Sequence, residues 1–187
     1  MSITRPSKAE IALTLLASRL TRRSRYRGFI EGIGLRGDER VLDFGAGWGD
    51  GTMCIAKSLD KGGRVTALDI SPEWQEVIRK RLKGYRNVDF VDADIRSSGL
   101  PDASFDIIVI SNVIHDMPPG ERAPTVRELA RKLRPNGRIE LRERTGERHG
   151  MPVEEIRSLM AGVHLCESCS KSERGGYIAR FIKGKQD

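Results

Sequence analysis

The chain is short of cysteine and of long apolar runs, and each shortage removes a class of protein. Three cysteines in 187 residues are an odd number and no disulfide framework, which points to a reducing cytoplasm. No apolar stretch approaches the roughly 18–20 residues of a membrane-crossing helix. The best N-terminal candidate, residues 11–17, is broken by Thr14 and has its arginines after it, so it does not read as a secretory leader. Internal repeats and low-complexity segments are lacking too. What is there, 38% hydrophobic and 32% charged residues, describes a soluble globular chain of one-domain length.

Charge is abundant but unevenly placed. The net charge is +7, and arginine supplies 24 of the 33 basic residues. Residues 1–40 carry a balance of +5, residues 41–118 of −3 and residues 119–187 of +5. An acidic middle therefore lies between basic ends. The densest cluster is Arg19, Arg22, Arg23, Arg25 and Arg27. Such a stretch attracts nucleic acid, anionic lipid or an anionic substrate, or serves as solvated surface.

Ser7-Lys8-Ala9-Glu10 fits a capping box. Ala9, Ala12, Leu13, Leu16, Ala17 and Leu20 then recur on one face of an amphipathic helix. A second helix is expected over 26–33, ending at Gly34. Beyond it strand and helix alternate. Strands are expected at 41–44, 64–69, 88–91, 105–110 and 138–141. Helices are expected from the glycines to about Leu59, from Ser71-Pro72-Glu73 to Gly84, from about Arg122 to Leu133, and over 152–160. Ser71 reads as an N-cap with Pro72 at the first helical position, and Pro135-Asn136-Gly137 as a helix stop. Residues 164–169 and 177–182 read as a closing antiparallel pair.

This order argues a single α/β domain, Rossmann-like and doubly wound, with a mostly parallel sheet and right-handed crossovers. It divides into N-terminal helices (1–37), a central core (38–142) and a C-terminal helix with closing strands (143–187). Ligands of such sheets sit beyond the carboxyl ends of the central strands. Cys166 and Cys169, three apart on an expected strand, should face opposite sides and not share a metal.

The most informative stretch is Asp43-Phe44-Gly45-Ala46-Gly47-Trp48-Gly49, between the first strand and its helix. The dinucleotide fingerprint fails in both frames, because Asp50 and Thr52 stand where its third glycine is required. The Walker pattern fails as well, for no Gly-Lys-Ser/Thr follows. Glycines let the backbone approach a ligand closely, while Asp43 would repel a pyrophosphate and suit a positively charged ligand. Asp69 ends the second strand, where a carboxylate can accept both hydroxyls of a ribose.

With these residues in hand, the sequence resembles the class I S-adenosylmethionine-dependent methyltransferases, most of all their small UbiE-like or type 11 group, over roughly residues 38–142. VLDFGAGWG resembles the family's first motif, LDI its second-strand acid, VDADI its adenine-contacting segment, SFDIIVISNVIHDM its fourth strand and loop, and LRPNGRIEL its fifth-strand entry. The resemblance implies S-adenosylmethionine as cofactor. It implies that Gly45, Ala46, Gly47 and Gly49 line the methionine half with Asp43 close by. Asp69, with Ile70 beside it, would hold the ribose. Asp94 and Ile95 would meet the adenine, with Asp92 the alternative in a shifted register. Asn112 or Ser111 would close the methionyl side. Trp48 departs from the family's small or polar residue, and the long substrate-covering insertion of larger members is missing.

The activity so implied is transfer of a methyl group to a small-molecule acceptor by in-line displacement. If the acceptor must lose a proton, His115 is the candidate base, with Tyr26 second. The acceptor pocket is expected between Tyr26, Arg27 and Phe29 and the loop 112–117 ending at Met117, with Trp48 at its side and Tyr177 a further wall. Arg27 could pair an anionic substrate group. The methionine carboxylate could lie at the N-terminus of the helix after Gly49. The fourth-strand loop is not Asn/Asp-Pro-Pro-Tyr/Phe and no Pro-Cys nucleophile motif occurs, which argues against nucleic-acid bases. The alternatives are an RNA methyltransferase docking through its basic N-terminal helices, and a non-catalytic cofactor-binding module. The sequence does not set the oligomeric state.

Overall fold

Strand and helix alternate as the sequence pattern requires. Helix α1 (Arg23–Ile33) leads into β1 (Arg40–Phe44), α2 (Asp50–Ser58), β2 (Arg64–Asp69), α3 (Pro72–Arg81), β3 (Val88–Asp92) and β4 (Phe105–Ser111). There follow α4 (Pro119–Lys132), β5 (Leu133–Arg144), α5 (Val153–Ala161), β6 (Leu165–Glu173) and β7 (Gly176–Lys183). This computed structural model describes residues 7, 9, 11, 13, 23–146, 149–173 and 175–184. Of the expected N-terminal helix, Ala9, Ile11 and Leu13 are among them and are helical. Ala12, Leu16, Ala17, Leu20, Arg19 and Arg22 lie outside the described residues. No helix among the described residues is long and apolar enough to cross a membrane.

The strands form one sheet in the order β3-β2-β1-β4-β5-β7-β6. The first five pair in parallel, and β7 enters antiparallel between β5 and β6. β1 and β4 occupy the middle because they are buried on both faces, and a near-continuous apolar run is what that position demands. Alternation along β4 sends Ile108 and Ile110 into one core layer with α4 and α5, and Ile107 and Val109 into the other with α1, α2 and α3. The result is a Rossmann-like α/β fold with helices on both faces. Its central strand order reverses between β1 and β4, so the crevice for a ligand opens at their carboxyl ends.

Boundaries differ from the sequence reading where proline or a bulge intervenes. α4 begins at Pro119, earlier than Arg122, since Pro118-Pro119 supplies a fixed φ and no N–H at the one place a helix does not miss it. It stops at Lys132 without using Pro135-Asn136-Gly137. That stretch is instead looped out within β5, between Leu133 opposite Phe105 and Arg138 opposite Ile107, with Asn136 at φ 64°. α3 ends at Arg81, and Leu82 to Gly84 form a turn. Ser71 caps α3 as expected, its hydroxyl accepting from Trp74 N.

The cysteine pair needs a correction of a different kind. β6 is bulged, so that Cys166 stands opposite Ile182 and Cys169 opposite Arg180. Ile182 and Arg180 are two apart on β7 and share a face. The extra residue therefore puts both thiols on one side of the sheet, where strict alternation would have separated them.

The loop after β1 is fixed by sterics. Gly49 has φ 84°, and a Cβ there would come within 2.5 Å of Ile78 Cγ1 on α3. Ile78 is fully buried and cannot yield. Gly49→Ala is thus expected to cost about 2–4 kcal/mol, strain and overpacking together. Urea unfolding of the variant measures it, and an unchanged midpoint would contradict the assignment.

Candidate active site

The carboxyl ends of β1, β2, β4 and β5 open into one cavity of about 1380 Å³, roofed by α1. Its floor is the glycine loop. The N–H groups of Gly45 and Ala46 donate to Leu68 O at 2.9 and 3.0 Å, pinning the loop to the tip of β2. Gly47 N–H donates to Asp69 Oδ2 at 2.8 Å, and Ser71 N–H to Asp69 Oδ1 at 2.9 Å. One carboxylate thereby ties the loop to the start of α3 and also lines the cavity. Burial raises the Asp69 pKa, and those same N–H bonds oppose the rise.

Asp43 lies behind the loop and is not part of the cavity wall. It is 4% exposed and accepts from Thr52 Oγ1 at 2.6 Å. Burial pushes its pKa up to about 6, Thr52 opposing and the neighbouring Asp69 adding to the rise. Because the folded value lies above the ordinary one, the ionised carboxylate costs stability above pH 6. That cost fades as pH falls through 6 toward 4. A shift of this size corresponds to about 3 kcal/mol at neutral pH. Asp43→Asn should recover about 1–2 kcal/mol of it, the amide N–H₂ still needing an acceptor. A thermal melt at pH 7 checks this, and a lower melting temperature would contradict it.

The site residues expected from the sequence divide into two groups. Gly45, Ala46, Gly47, Asp69 and Ile70 line the cavity at the β1–β2 end. Ser111, Asn112 and His115 line it at the β4 end, with Tyr26, Phe29 and Trp48 between. Tyr177 also contributes to the wall. Gly49, Arg27, Met117, Asp94 and Ile95 do not line it. Arg27 points outward and pairs with Glu31 at 2.7 Å, both well exposed. Asp94 caps a 3₁₀ turn and spends its carboxylate on Arg96 N, Nε and Nη2; that pairing pulls its pKa down. Asp92 faces Arg79 at 3.5 Å, and Ile95 is buried in the core. The first turn of α2 already holds an anion, Asp50, whose Oδ1 takes a hydrogen bond from Arg81 at 2.7 Å. A methionine carboxylate there would have to share the dipole with it.

His115 sits on the 3₁₀ turn Ile114–Asp116 with only 3% of its side chain exposed. Its Nδ1 lies 2.5 Å from Glu143 Oε2. The other oxygen of Glu143 accepts from Val113 N and Ile114 N, both at 2.8 Å. A fully buried carboxylate that accepts from two backbone N–H groups takes its third hydrogen bond from Nδ1–H. This selects the tautomer with Nε2 as the proton acceptor. Nε2 is 3.3 Å from the exposed Asp116. Arg122 braces the turn by donating to the His115 and Met117 carbonyls.

Sequence reasoning missed Glu143, Trp74 and Arg142, all of which line the cavity. Glu143 had a signal, a carboxylate at the carboxyl end of a central strand. Trp74 packs on Trp48 at 5.6 Å between ring centroids, and Trp48 meets Tyr26 edge-on at 6.4 Å. The Trp48 N–H donates to Asp50 at 2.7 Å, which holds the indole against the loop.

These residues fit a sulfonium nucleoside. The loop gives close backbone approach, Asp69 offers acceptors for ribose hydroxyls, and aromatic and aliphatic faces lie beside them. The buried Ser111 Oγ is without a hydrogen-bond partner among the described residues and lies in the cavity wall.

A family model described as a methyltransferase domain matches residues 41–137. The chain is 32% identical over 113 residues to the ubiquinone/menaquinone biosynthesis C-methyltransferase UbiE of Proteus mirabilis (strain HI4320), covering 59% of this chain and 44% of that protein. It is 40% identical over 101 residues to the demethylmenaquinone methyltransferase of Clavibacter sepedonicus, covering 54% and 39%. The chain thus spans less than half the length of these curated relatives. A SAM-dependent methyltransferase from Aquifex aeolicus shares the fold, with a TM-score of 0.73 over 85% of this chain and 89% of that one at 20% identity. With the glycine loop, the second-strand acid and the family model falling on the same residues, the chain belongs to the methyltransferase-domain family, among the class I S-adenosylmethionine-dependent methyltransferases.

Proposed function

We propose that the protein is a UbiE-like methyltransferase that moves a methyl group from S-adenosylmethionine to a small-molecule acceptor. The observation that carries this reading is one cavity with two chemically different ends. Asp69 and the loop Gly45–Gly47 stand at one end, and the buried His115–Glu143 pair at the other. The curated relatives whose names specify carbon methylation support the same reading.

S-adenosylmethionine, when bound, supplies a methyl group on an electrophilic sulfonium for in-line displacement. The chain's own residues do the rest. Asp69 and the loop fix position, and position alone is worth roughly 7–11 kcal/mol where two reactants are held in line. Trp48, Tyr26 and Phe29 exclude water from the space between. His115 Nε2 takes the proton that the acceptor gives up, and Glu143 stabilises the resulting imidazolium. A base so carefully held points to an acceptor whose proton must be removed, a carbon acid or a hydroxyl, over one that is already a thiolate.

The test is transfer of labelled methyl from S-adenosylmethionine into a cell extract, with and without ribonuclease. Label in the small-molecule fraction, untouched by ribonuclease, is expected. Label lost after ribonuclease would replace this reading with an RNA methyltransferase, and no turnover would leave a cofactor-binding module.

A further inference from the structure

Asp50 and Asp69 line the β1–β2 end of the cavity. At its far end β5 carries Glu140, Arg142 and Arg144 on one face, the face toward α1. Two neighbouring cations on this face are neutralised, and the third, Arg144, is exposed to solvent. Arg138 and Arg180 both donate to Glu140 Oε1, at 2.6 and 2.7 Å, and both reach the Ile33 carbonyl at the end of α1. Arg142 is different. It is half-buried in the cavity wall, and its guanidinium makes no hydrogen bond or ion pair among the described residues.

Two more donors converge on the same place. Ser111 is the register partner of Arg142 on β4, so the two side chains leave the same face of adjacent strands roughly 5 Å apart. The Ser111 Oγ is buried, makes no hydrogen bond of ordinary geometry, and lies beside the Tyr26 hydroxyl. Tyr26, on α1 above them, lines the same cavity, and its phenol feels the charge of Asp43 first and of Arg142 next. Burial raises the Tyr26 pKa, so its hydroxyl keeps its proton and can donate. A guanidinium and two hydroxyls facing a common space form a site for an oxygen anion. An unpaired, half-buried guanidinium costs stability unless a ligand supplies the missing partner.

We infer that Arg142, with Tyr26 and Ser111, recognises a carboxylate or enolate oxygen on the methyl acceptor, so that the acceptor is an anionic small molecule. The inference rests on the methyltransferase reading above. Arg142 adjoins Glu143 in sequence and lies three strands, roughly 14 Å, across the sheet from Asp69. It therefore belongs to the end of the cavity where the base waits, and it takes the role that the sequence alone suggested for Arg27.

The test uses the intact protein saturated with S-adenosylhomocysteine, titrated by calorimetry with benzoate and with benzamide. These are planar probes of one shape that differ in charge. Benzoate is expected to bind at least about tenfold more tightly than benzamide, the scale of a hydrogen bond to a charged partner. Arg142→Gln should abolish that preference and leave the affinity for S-adenosylhomocysteine unchanged. Equal binding of the two probes, or a preference that survives in Arg142→Gln, would overturn the inference. A loss of S-adenosylhomocysteine affinity in the variant would also overturn it, by assigning Arg142 to the cofactor's own carboxylate. Should Arg142→Gln fail to fold, the ratio of the two probes on the unaltered protein decides alone. If the unaltered protein does not bind S-adenosylhomocysteine, the methyltransferase reading falls and this inference with it. Binding without a charge preference sinks the inference only.

Discussion

Replacing His115 by alanine is expected to lower the methyl-transfer rate by about 10²–10⁴-fold, the usual worth of a positioned general base. The affinity for S-adenosylhomocysteine should not change, because His115 stands at the β4–β5 end of the cavity and Asp69 at the other. Histidine as a residue type would not suffice for this. What matters is the way this one is held, with 3% of the side chain exposed and Nδ1 committed to Glu143 at 2.5 Å. Glu143 acts through His115 as a positioning residue. Glu143→Gln keeps the shape but can no longer offer three charged acceptor bonds to Val113 N, Ile114 N and the imidazole. Its kcat should fall well below the unaltered protein's, with the KM for S-adenosylmethionine unchanged. A merely structural role would move the melting temperature and spare kcat. Steady-state kinetics on the two variants separates these outcomes, and full activity in His115→Ala would remove it from catalysis.

Asp69→Ala is expected to weaken binding of S-adenosylmethionine by about 3–4 kcal/mol. A hydrogen bond to a charged group is worth about 1.5–3 kcal/mol, and this carboxylate is placed to supply more than one. It offers acceptors to a ribose, and it also holds the loop at Gly47 N and the start of α3 at Ser71 N. Losing it removes the contact and loosens the cradle in the same step. Asp69→Asn keeps one acceptor for a backbone N–H and should lose less. Calorimetric titration gives both values. An Asp69→Ala variant that binds as tightly as the original would show that the ligand does not use the second-strand tip.

The fold was legible because its signals are local. β2 falls on the residues read from the sequence, 64–69, since Gly62-Gly63 before it and Ser71-Pro72 after it leave no other frame. The buried run of β4 and the cap of α3 are equally short-range. The β1–β2 end of the cavity, where the cofactor is proposed to bind, was legible for the same reason, as loop and acid follow directly from two strand tips. The acceptor end was not. Glu143 and His115 are 28 residues apart, and their contact depends on parallel pairing of β4 with β5, which no local pattern specifies. Arg142 needed the same pairing. It also needed knowledge that its neighbours Arg138 and Arg180 share Glu140, which leaves it as the half-buried cation to be matched. Arg27 was a reasonable candidate from its basic neighbourhood, but the phase of α1 turns it outward onto Glu31. The one-sided cysteine pair on β6 was hidden because a bulge is a property of two strands together.

The central claim is that a sulfonium nucleoside binds between the glycine loop and Asp69. Trp48 and Trp74 are the only tryptophans in the sequence, and both line the cavity, so indole fluorescence reports on this site directly. Titration with S-adenosylhomocysteine should give a saturable change with one molecule per chain, competed for by S-adenosylmethionine and indifferent to a nicotinamide dinucleotide. A flat titration, or displacement by the dinucleotide, would contradict the account.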